Sequence, residues 1–289
     1  LYDVKSYLLG NRLVGIPYAT LCDPLFENQD DLAELLDDAI AIYRRGRYRY
    51  IEIRSHQTHS FSITSGFNLL KNYKNHFLCL DGSLDKIEKS IDRDVRRLIR
   101  KASNVGFYMR DAHSEKDVRS FFLIYAQTRK TLGLPPHPYK FFLTFWNILS
   151  SLDLAKLIVL YKDGQPVAGV ILFTFKNRVS AEYGAWDRSF AKDCPNHFLY
   201  WSSIKYAYDQ NFKIFDFGRT LSDNNSLMSF KKKWGTQLID LPQCYYQETG
   251  AIKTNKMRSK KLMMLHRIIE SSPQKVCQWI GDYCYRHLG

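Results

Sequence analysis

The stretch FKIFDFGRTLSDNNSLMSFKKKWG, residues 212–235, decides the fold. It reads as strand, loop and short helix. Ile214, Phe215 and Phe217 form the apolar run of a buried strand. Asp216 interrupts that run and by alternation shares a face with Ile214. Gly218 is expected to end the strand, with Arg219 directly after it. Residues 220–225 are turn-forming apart from Leu221. Asn225 or Ser226 is then placed to N-cap a helix on which Leu227, Phe230 and Trp234 share one face. Lys231 lies at the edge of that face, Lys232 points to solvent, and Gly235 stops the helix. An acid and an arginine at a strand end, followed by a lysine beside an aromatic face, suits the lining of a cleft. The same residues also fit a structural ion pair, Asp216 with Arg219, over a core tryptophan.

Upstream, Ser83 caps a long helix over 84–104. Ile87, Ile91, Val95, Leu98 and Ala102 form its inner side. The outer side carries Arg93, Arg96, Arg97, Arg100 and Lys101, and the guanidinium fork suits phosphate. These five are the candidate nucleic-acid contacts, although Glu88, Asp92 and Asp94 also fit a solvated face. From Gly106 the pattern restarts. A strand (107–110) leads through the capping box Ser114-x-x-Asp117 into a helix (118–132). Pro135, Pro136 and Pro138 lead to an aromatic helix (139–149). Three strands follow (154–161, 166–175, 178–185), turned at Asp163-Gly164 and Lys176-Asn177. A helix opened by Pro195 (195–209), the stretch quoted above, and a last strand (237–247) complete this part.

The string Asp216-Phe217-Gly218-Arg219, a polar loop, then Phe230, Lys231, Trp234 and Gly235, resembles the signature of Fem-type peptidoglycan aminoacyltransferases and their FemAB-like relatives in the GNAT acyltransferase superfamily. The resemblance extends through the basic helix, Val167 to Gly169, and Pro195-Asn196, from about Pro17 onward. It implies an α+β fold of tandem GNAT-like domains, with mixed, mostly antiparallel central sheets flanked by helices. The expected domains are a shortened N-terminal one (1–105), a C-terminal GNAT domain (106–248) and a basic, helical C-terminal tail (249–289).

The GNAT likeness also implies a notch where two central strands part, here 178–185 and 213–217. Glu182, Tyr183 and Asp216 are expected to reach it, with Glu182 and Tyr183 pointing oppositely. Asn196, Tyr200, Phe230 and Trp234 join Tyr183 and Glu182 as candidate substrate contacts. The expected catalytic residues are Asp216, to hold or deprotonate an amine; Lys231, to steady a carbonyl oxygen or phosphate; and Arg219, to orient Asp216 or bind an anion. The implied reaction is transfer of an acyl or aminoacyl group to an amine of an envelope precursor or related metabolite. No tightly bound cofactor or metal is expected. The donor is aminoacyl-tRNA, acyl-CoA or acyl carrier protein. Acetyl-CoA users carry a glycine loop whose amides bind pyrophosphate; here WDRSFAKDCPNH follows Ala185 without a glycine, which favours aminoacyl-tRNA. The alternatives are a catalytically silent tRNA- or membrane-binding module, and a scaffold of an envelope or exopolysaccharide assembly.

Composition bounds these readings. With 289 residues and 45% apolar content the chain can build a substantial core, and its net charge of +13 favours an anionic partner such as tRNA or an acidic membrane face. Six cysteines without a CxxC pair suggest reduced thiols and a cytoplasmic protein. Leu1 is not a start methionine, so sequence upstream is expected. In the N-terminal part, a hairpin is signalled by 7–9 and 13–16 around Gly10-Asn11, a helix by 30–43 with Leu32, Leu35, Leu36, Ala39 and Ile40 inward, and strands by 48–54 and 75–81. The acids of that helix read as a solvated face, and His56 and His59 as part of a polar loop. The tail, basic with an apolar side and containing Trp279 and Tyr283, suits either packing on its own domain or peripheral contact with an anionic membrane.

Overall fold

The computed structural model describes residues 1–6, 10–55, 66–248 and 260–288. The elements in chain order are β1 (Tyr2–Val4), β2 (Arg12–Val14), α1 (Gln29–Arg45), β3 (Ile51–Arg54), β4 (Asn68–Cys79), α2 (Leu84–Ser90), α3 (Arg93–Ser103), β5 (Tyr108–Asp111), α4 (Glu115–Thr131) and α5 (Tyr139–Leu149). There follow β6 (Ala155–Lys162), β7 (Gln165–Phe175), β8 (Arg178–Trp186), α6 (Pro195–Asp209), β9 (Ile214–Leu221), α7 (Asn225–Lys232), β10 (Gln237–Tyr246), α8 (Lys260–Ser271) and α9 (Gln274–Leu288). The fold is α+β: the strands form one sheet in the order β1-β2-β3-β10-β4-β9-β8-β7-β6-β5. Pairing is antiparallel except for β2 with β3 and β8 with β9. The sheet and the core run across residue 105, since β4 and β10 lie side by side between β3 and β9.

Among the described residues, three apolar clusters hold the layers together. Leu32, Leu36, Ala39, Ile40 and Tyr43 of α1 pack on Ile51, Ile53 and Cys244. Val118, Phe121, Phe122 and Tyr125 of α4, with Phe142 of α5, cover one face of β6–β8. On the opposite face, Ile87, Val95 and Ile99 pack with Leu199 and Ile204 of α6, Phe215 and Phe217 of β9, and Trp234. Gly169 allows α4 to approach the sheet, since a Cβ there would meet the Phe121 ring at 2.7 Å.

Several expectations change. Leu35 is exposed, because the apolar stripe of α1 turns through 32, 36, 39, 40 and 43. The N-terminal hairpin pairs Tyr2–Val4 with Arg12–Val14, while residues 7–9 lie outside the described residues, as do His56 and His59. β4 begins at Asn68, seven residues before its expected start at 75. The basic helix is broken: α2 ends at Ser90, Ile91 is extended, and Asp92 caps α3 by accepting from the Asp94 amide. The break shifts the helical phase, so Ile99 is buried and Leu98 only half-buried. It also seats the end of α7, since the Asp92 amide donates to the Lys233 carbonyl at 2.8 Å.

Candidate active site

β8 and β9 run parallel for only three register pairs, Arg178 with Ile214, Val179 with Phe215 and Ser180 with Asp216, and then part. Two irregularities shape the gap. On β8, Ala181 pairs with Leu172 and Tyr183 with Ile171, so Glu182 is the extra residue of a bulge. Val179 and Ala181 therefore face α6, whereas Tyr183 and Ala185 face α4 and α5. On β9, Asp216 pairs with Phe77 and Arg219 with Asn75, so Phe217 and Gly218 both stand opposite His76. Gly218 has φ +72°, a conformation that suits glycine. Residues three apart on a regular strand face opposite ways, but this bulge brings Asp216 and Arg219 to the same face. β9 does not end at Gly218, as the sequence suggested, but continues to Leu221.

Asp216 is buried and held by three donors. Arg178 Nη1 lies 2.9 Å away, Asn75 Nδ2 3.2 Å and the Gly218 amide 2.7 Å. Its ion-pair partner is thus Arg178, not Arg219. Arg219 instead lies over the Tyr73 ring, 5.0 Å from its centroid. The difference follows from register: Arg178 pairs with Ile214, two residues before Asp216 on the same face, so its side chain reaches Asp216, while Arg219 is carried past it by the bulge.

Lys231 is 5% exposed. α7 is capped by Asn224, whose side chain accepts from the Leu227 amide, rather than by Asn225 or Ser226. That start directs Lys231 onto the β9 bulge, where Nζ donates to the Gly218 carbonyl at 2.7 Å and the Arg219 carbonyl at 3.3 Å. Burial lowers its pKa to about 8, against the opposing pull of Asp216 and Glu182. Glu182 is displaced the other way: burial first, and then the Asp216 charge, raise its carboxyl above the usual range. Its hydrogen-bond partner is the Thr20 hydroxyl, at 3.4 Å, contributed by the N-terminal segment.

The α6 side of the gap is aromatic. Tyr200 stacks on Phe217 with centroids 5.3 Å apart and planes at 10°, and its hydroxyl would lie 3.3 Å from a Cβ at Gly184. It therefore spans from β9 to β8. Burial pushes its phenol up to about 12. Phe230 meets Tyr200 edge-on, and half-buried Asn196 occupies the first turn of α6. Tyr183 points away into a ring of Tyr125, His137, Phe142 and Phe145. Trp234 is fully buried in the core; the expectation that it touches substrate gives way to a packing role. Arg93, Arg97, Arg100 and Lys101 are exposed on α3, apart from this gap, with Arg96 half-buried between them.

Sequence reasoning missed Arg178, Asn75, Thr20 and His76. Arg178 and Asn75 are brought to Asp216 only by register, and Thr20 only by the path of the N-terminal segment. His76 is buried behind Lys231, with Nδ1 3.0 Å from the Thr236 hydroxyl, which itself donates to the Lys231 carbonyl at 3.0 Å. Burial, and secondarily the Lys231 charge, lower its pKa to about 4.

Residues 89–232 match the acetyltransferase (GNAT) domain family. The lipid II:glycine glycyltransferase of Staphylococcus haemolyticus (strain JCSC1435) is 27% identical over 124 residues, 37% of this chain and 29% of that protein. The Staphylococcus aureus protein of the same name is 29% identical over 122 residues, again 37% and 29% of the two chains. The chain thus matches less than a third of the length of these curated relatives. Among solved structures, FemX superposes with a TM-score of 0.63 at 17% identity, covering 84% of this chain and 80% of FemX. L-PGS from Bacillus licheniformis gives 0.57 at 12% identity, covering 91% and 83%. At these identities the two structures attest the shared fold. In its parted strands β8 and β9, its matched domain and its Fem-type relatives, this chain is similar to the FemAB-like branch of the GNAT acyltransferase superfamily.

Proposed function

We propose that the protein is an N-acyltransferase that moves an acyl or aminoacyl group onto an amine of an envelope precursor or related metabolite. The observation that carries this reading is the gap between β8 and β9, with the Glu182 carboxyl at one bulge and the Lys231 ammonium at the other. The names of the staphylococcal relatives, which specify a glycyl group and lipid II, support an aminoacyl donor and an envelope acceptor.

The amine must lose a proton as its nitrogen attacks the donor carbonyl. Asp216 is a poor acceptor for that proton because Arg178, Asn75 and the Gly218 amide already occupy its oxygens. Glu182 is the better base: burial raises its carboxyl above the usual carboxylate range, and it is bonded to the Thr20 hydroxyl. As the N–C bond forms, negative charge develops on the carbonyl oxygen. Lys231 uses two of its three hydrogens on the Gly218 and Arg219 carbonyls, and the third is left for that oxygen. Collapse breaks the C–O bond of an aminoacyl ester or the C–S bond of a thioester, and the leaving oxygen or sulfur takes up a proton. Asp216 acts as a fixed anion that holds Arg178 and the bulge and sustains the charge on Lys231. Arg219, lying on Tyr73, is placed to bind an anionic group of the acceptor.

The donor favoured is aminoacyl-tRNA. Between β8 and α6 the chain forms a 3₁₀ turn, Arg188–Asp193, instead of a glycine loop, and Pro195 brings no amide hydrogen to the first turn of α6. The exposed cations of α3 offer a surface for the tRNA backbone, with acyl-CoA and acyl carrier protein as the other donors to test. That surface equally fits a second reading, an RNA-binding module without turnover. Incubation with charged tRNA, acyl-CoA and amine acceptors separates the two. Acceptor-dependent deacylation supports transfer, whereas salt-sensitive tRNA binding with no deacylation supports the module. In the transferase reading the protein meets an envelope acceptor at the cytoplasmic face of the membrane.

A further inference from the structure

α8 and α9 form a hairpin fastened to the domain along one side. Ile269 and Cys277 are 0% exposed, and the Cys277 thiol lies 3.2 Å from the Ile269 carbonyl. Gly281 abuts the Pro136 carbonyl, Tyr285 accepts from Arg129 at 3.2 Å, and the His287 carbonyl accepts from Arg12 at 3.2 Å. The hairpin is therefore part of the fold, with no surplus inner face to bury.

Its outer side is apolar nonetheless. Trp279 is 71% exposed and Met264 65%, joined by Met263, Ile268, Val276 and Tyr283. Val276, Trp279 and Tyr283 fall at i, i+3 and i+7, so they make one stripe along α9. The sequence around them is cationic: residues 251–289 hold eight Lys and Arg against two Asp and Glu. On the hairpin itself Arg267, Lys275 and Arg286 are exposed, against Glu270 and Asp282.

We infer that this outer side of the α8–α9 hairpin is a docking surface for a bilayer rich in anionic phospholipid. Tryptophan and tyrosine suit the headgroup boundary, methionine, isoleucine and valine suit the upper acyl region, and lysine and arginine suit lipid phosphates. A second copy of the chain fits less well, because pairing two such faces would bring like-charged rims together. RNA does not reward exposed aliphatic side chains. Among the described residues no helix is long and apolar enough to cross a membrane, so the hairpin would lie along the surface. The inference rests on the proposed function only for which side of the membrane is met; the docking itself requires no transfer chemistry.

The test is co-sedimentation of the whole chain with vesicles of phosphatidylcholine alone or mixed with about a third phosphatidylglycerol. Binding is expected to the mixed vesicles and to weaken with salt. Trp279→Ser with Met264→Ser should lower partitioning about tenfold or more, with the melting temperature unchanged. Lys275→Glu should lower it by about fivefold or more. Absence of binding to the mixed vesicles overturns the inference, as does retention of full binding by the double variant. A concentration-dependent dimer that the double variant abolishes also overturns it, by assigning the face to a second copy. Vesicle binding that persists with no transfer to a water-soluble amine leaves this inference standing and removes the proposed activity instead.

Discussion

The ammonium of Lys231 lies 2.7 Å from the carbonyl oxygen of Gly218, the residue at which β9 bulges. A cation on a helix and an irregularity in a strand are thus one feature. The bulge turns carbonyls towards the lysine, and the lysine fixes the bulge that sets Asp216 and Arg219 on a common face.

Removing that cation should disable transfer without unfolding the protein. Lys231→Met is expected to lower kcat by about 10²–10³, the usual loss for one oxyanion donor. With its pKa lowered to about 8, the ammonium becomes neutral as pH rises through that value. Transfer should therefore fall on the alkaline side near pH 8, as a pH–rate profile would read.

Glu182→Gln keeps the shape and removes the base. We expect kcat to fall about 10²–10⁴ with little change in KM. The carboxyl is raised above the ordinary range, so it is protonated at low pH and becomes a base as pH rises. The wild-type rate should climb through that ionisation, and the acidic limb should vanish in the variant.

Asp216→Asn tests whether the aspartate acts through others. Without the charged partner of Arg178, stability in denaturant unfolding should fall by about 2 kcal/mol. The Asp216 charge also raises the Lys231 pKa, so the alkaline limb should move to lower pH. An unmoved limb would separate the two residues.

Much of the fold was legible because periodicity carried it. Most of the α1 stripe, the three antiparallel strands β6–β8 and the strand–helix pair β9–α7 follow from apolar spacing and turn chemistry. The break at Ile91–Asp92 was not legible, since both sides keep helix-forming residues and the break is seated by the Lys233 carbonyl, far along the chain. At the site, Asp216 and Lys231 could be picked out because a charged residue interrupts or flanks an apolar run. Their partners could not: a bulge shifts register without a dedicated residue type, so pairing Asp216 with Arg178 rather than Arg219 needed the sheet. Trp234 shows the converse, where a motif residue is also core. Trp234→Ala should cost about 3–5 kcal/mol of stability, seen as a lowered urea midpoint.

The exposed face of α3 gives a separate expectation for the donor. Charge reversal at Arg97, Arg100 and Lys101 should weaken tRNA binding and flatten its dependence on salt. The log–log slope should shrink by about 0.9 for each duplex phosphate no longer neutralised. Transfer from a small acyl thioester should be unaffected, because these side chains lie outside the gap.

The most direct measurement is acceptor-dependent release of a radiolabelled aminoacyl group from charged tRNA, with acyl-CoA run in parallel, by the wild-type chain and by Glu182→Gln and Lys231→Met. Transfer to an amine is expected from the wild type, with a decline of at least about a hundredfold in each variant and its fold retained. Equal turnover by all three proteins would contradict that expectation.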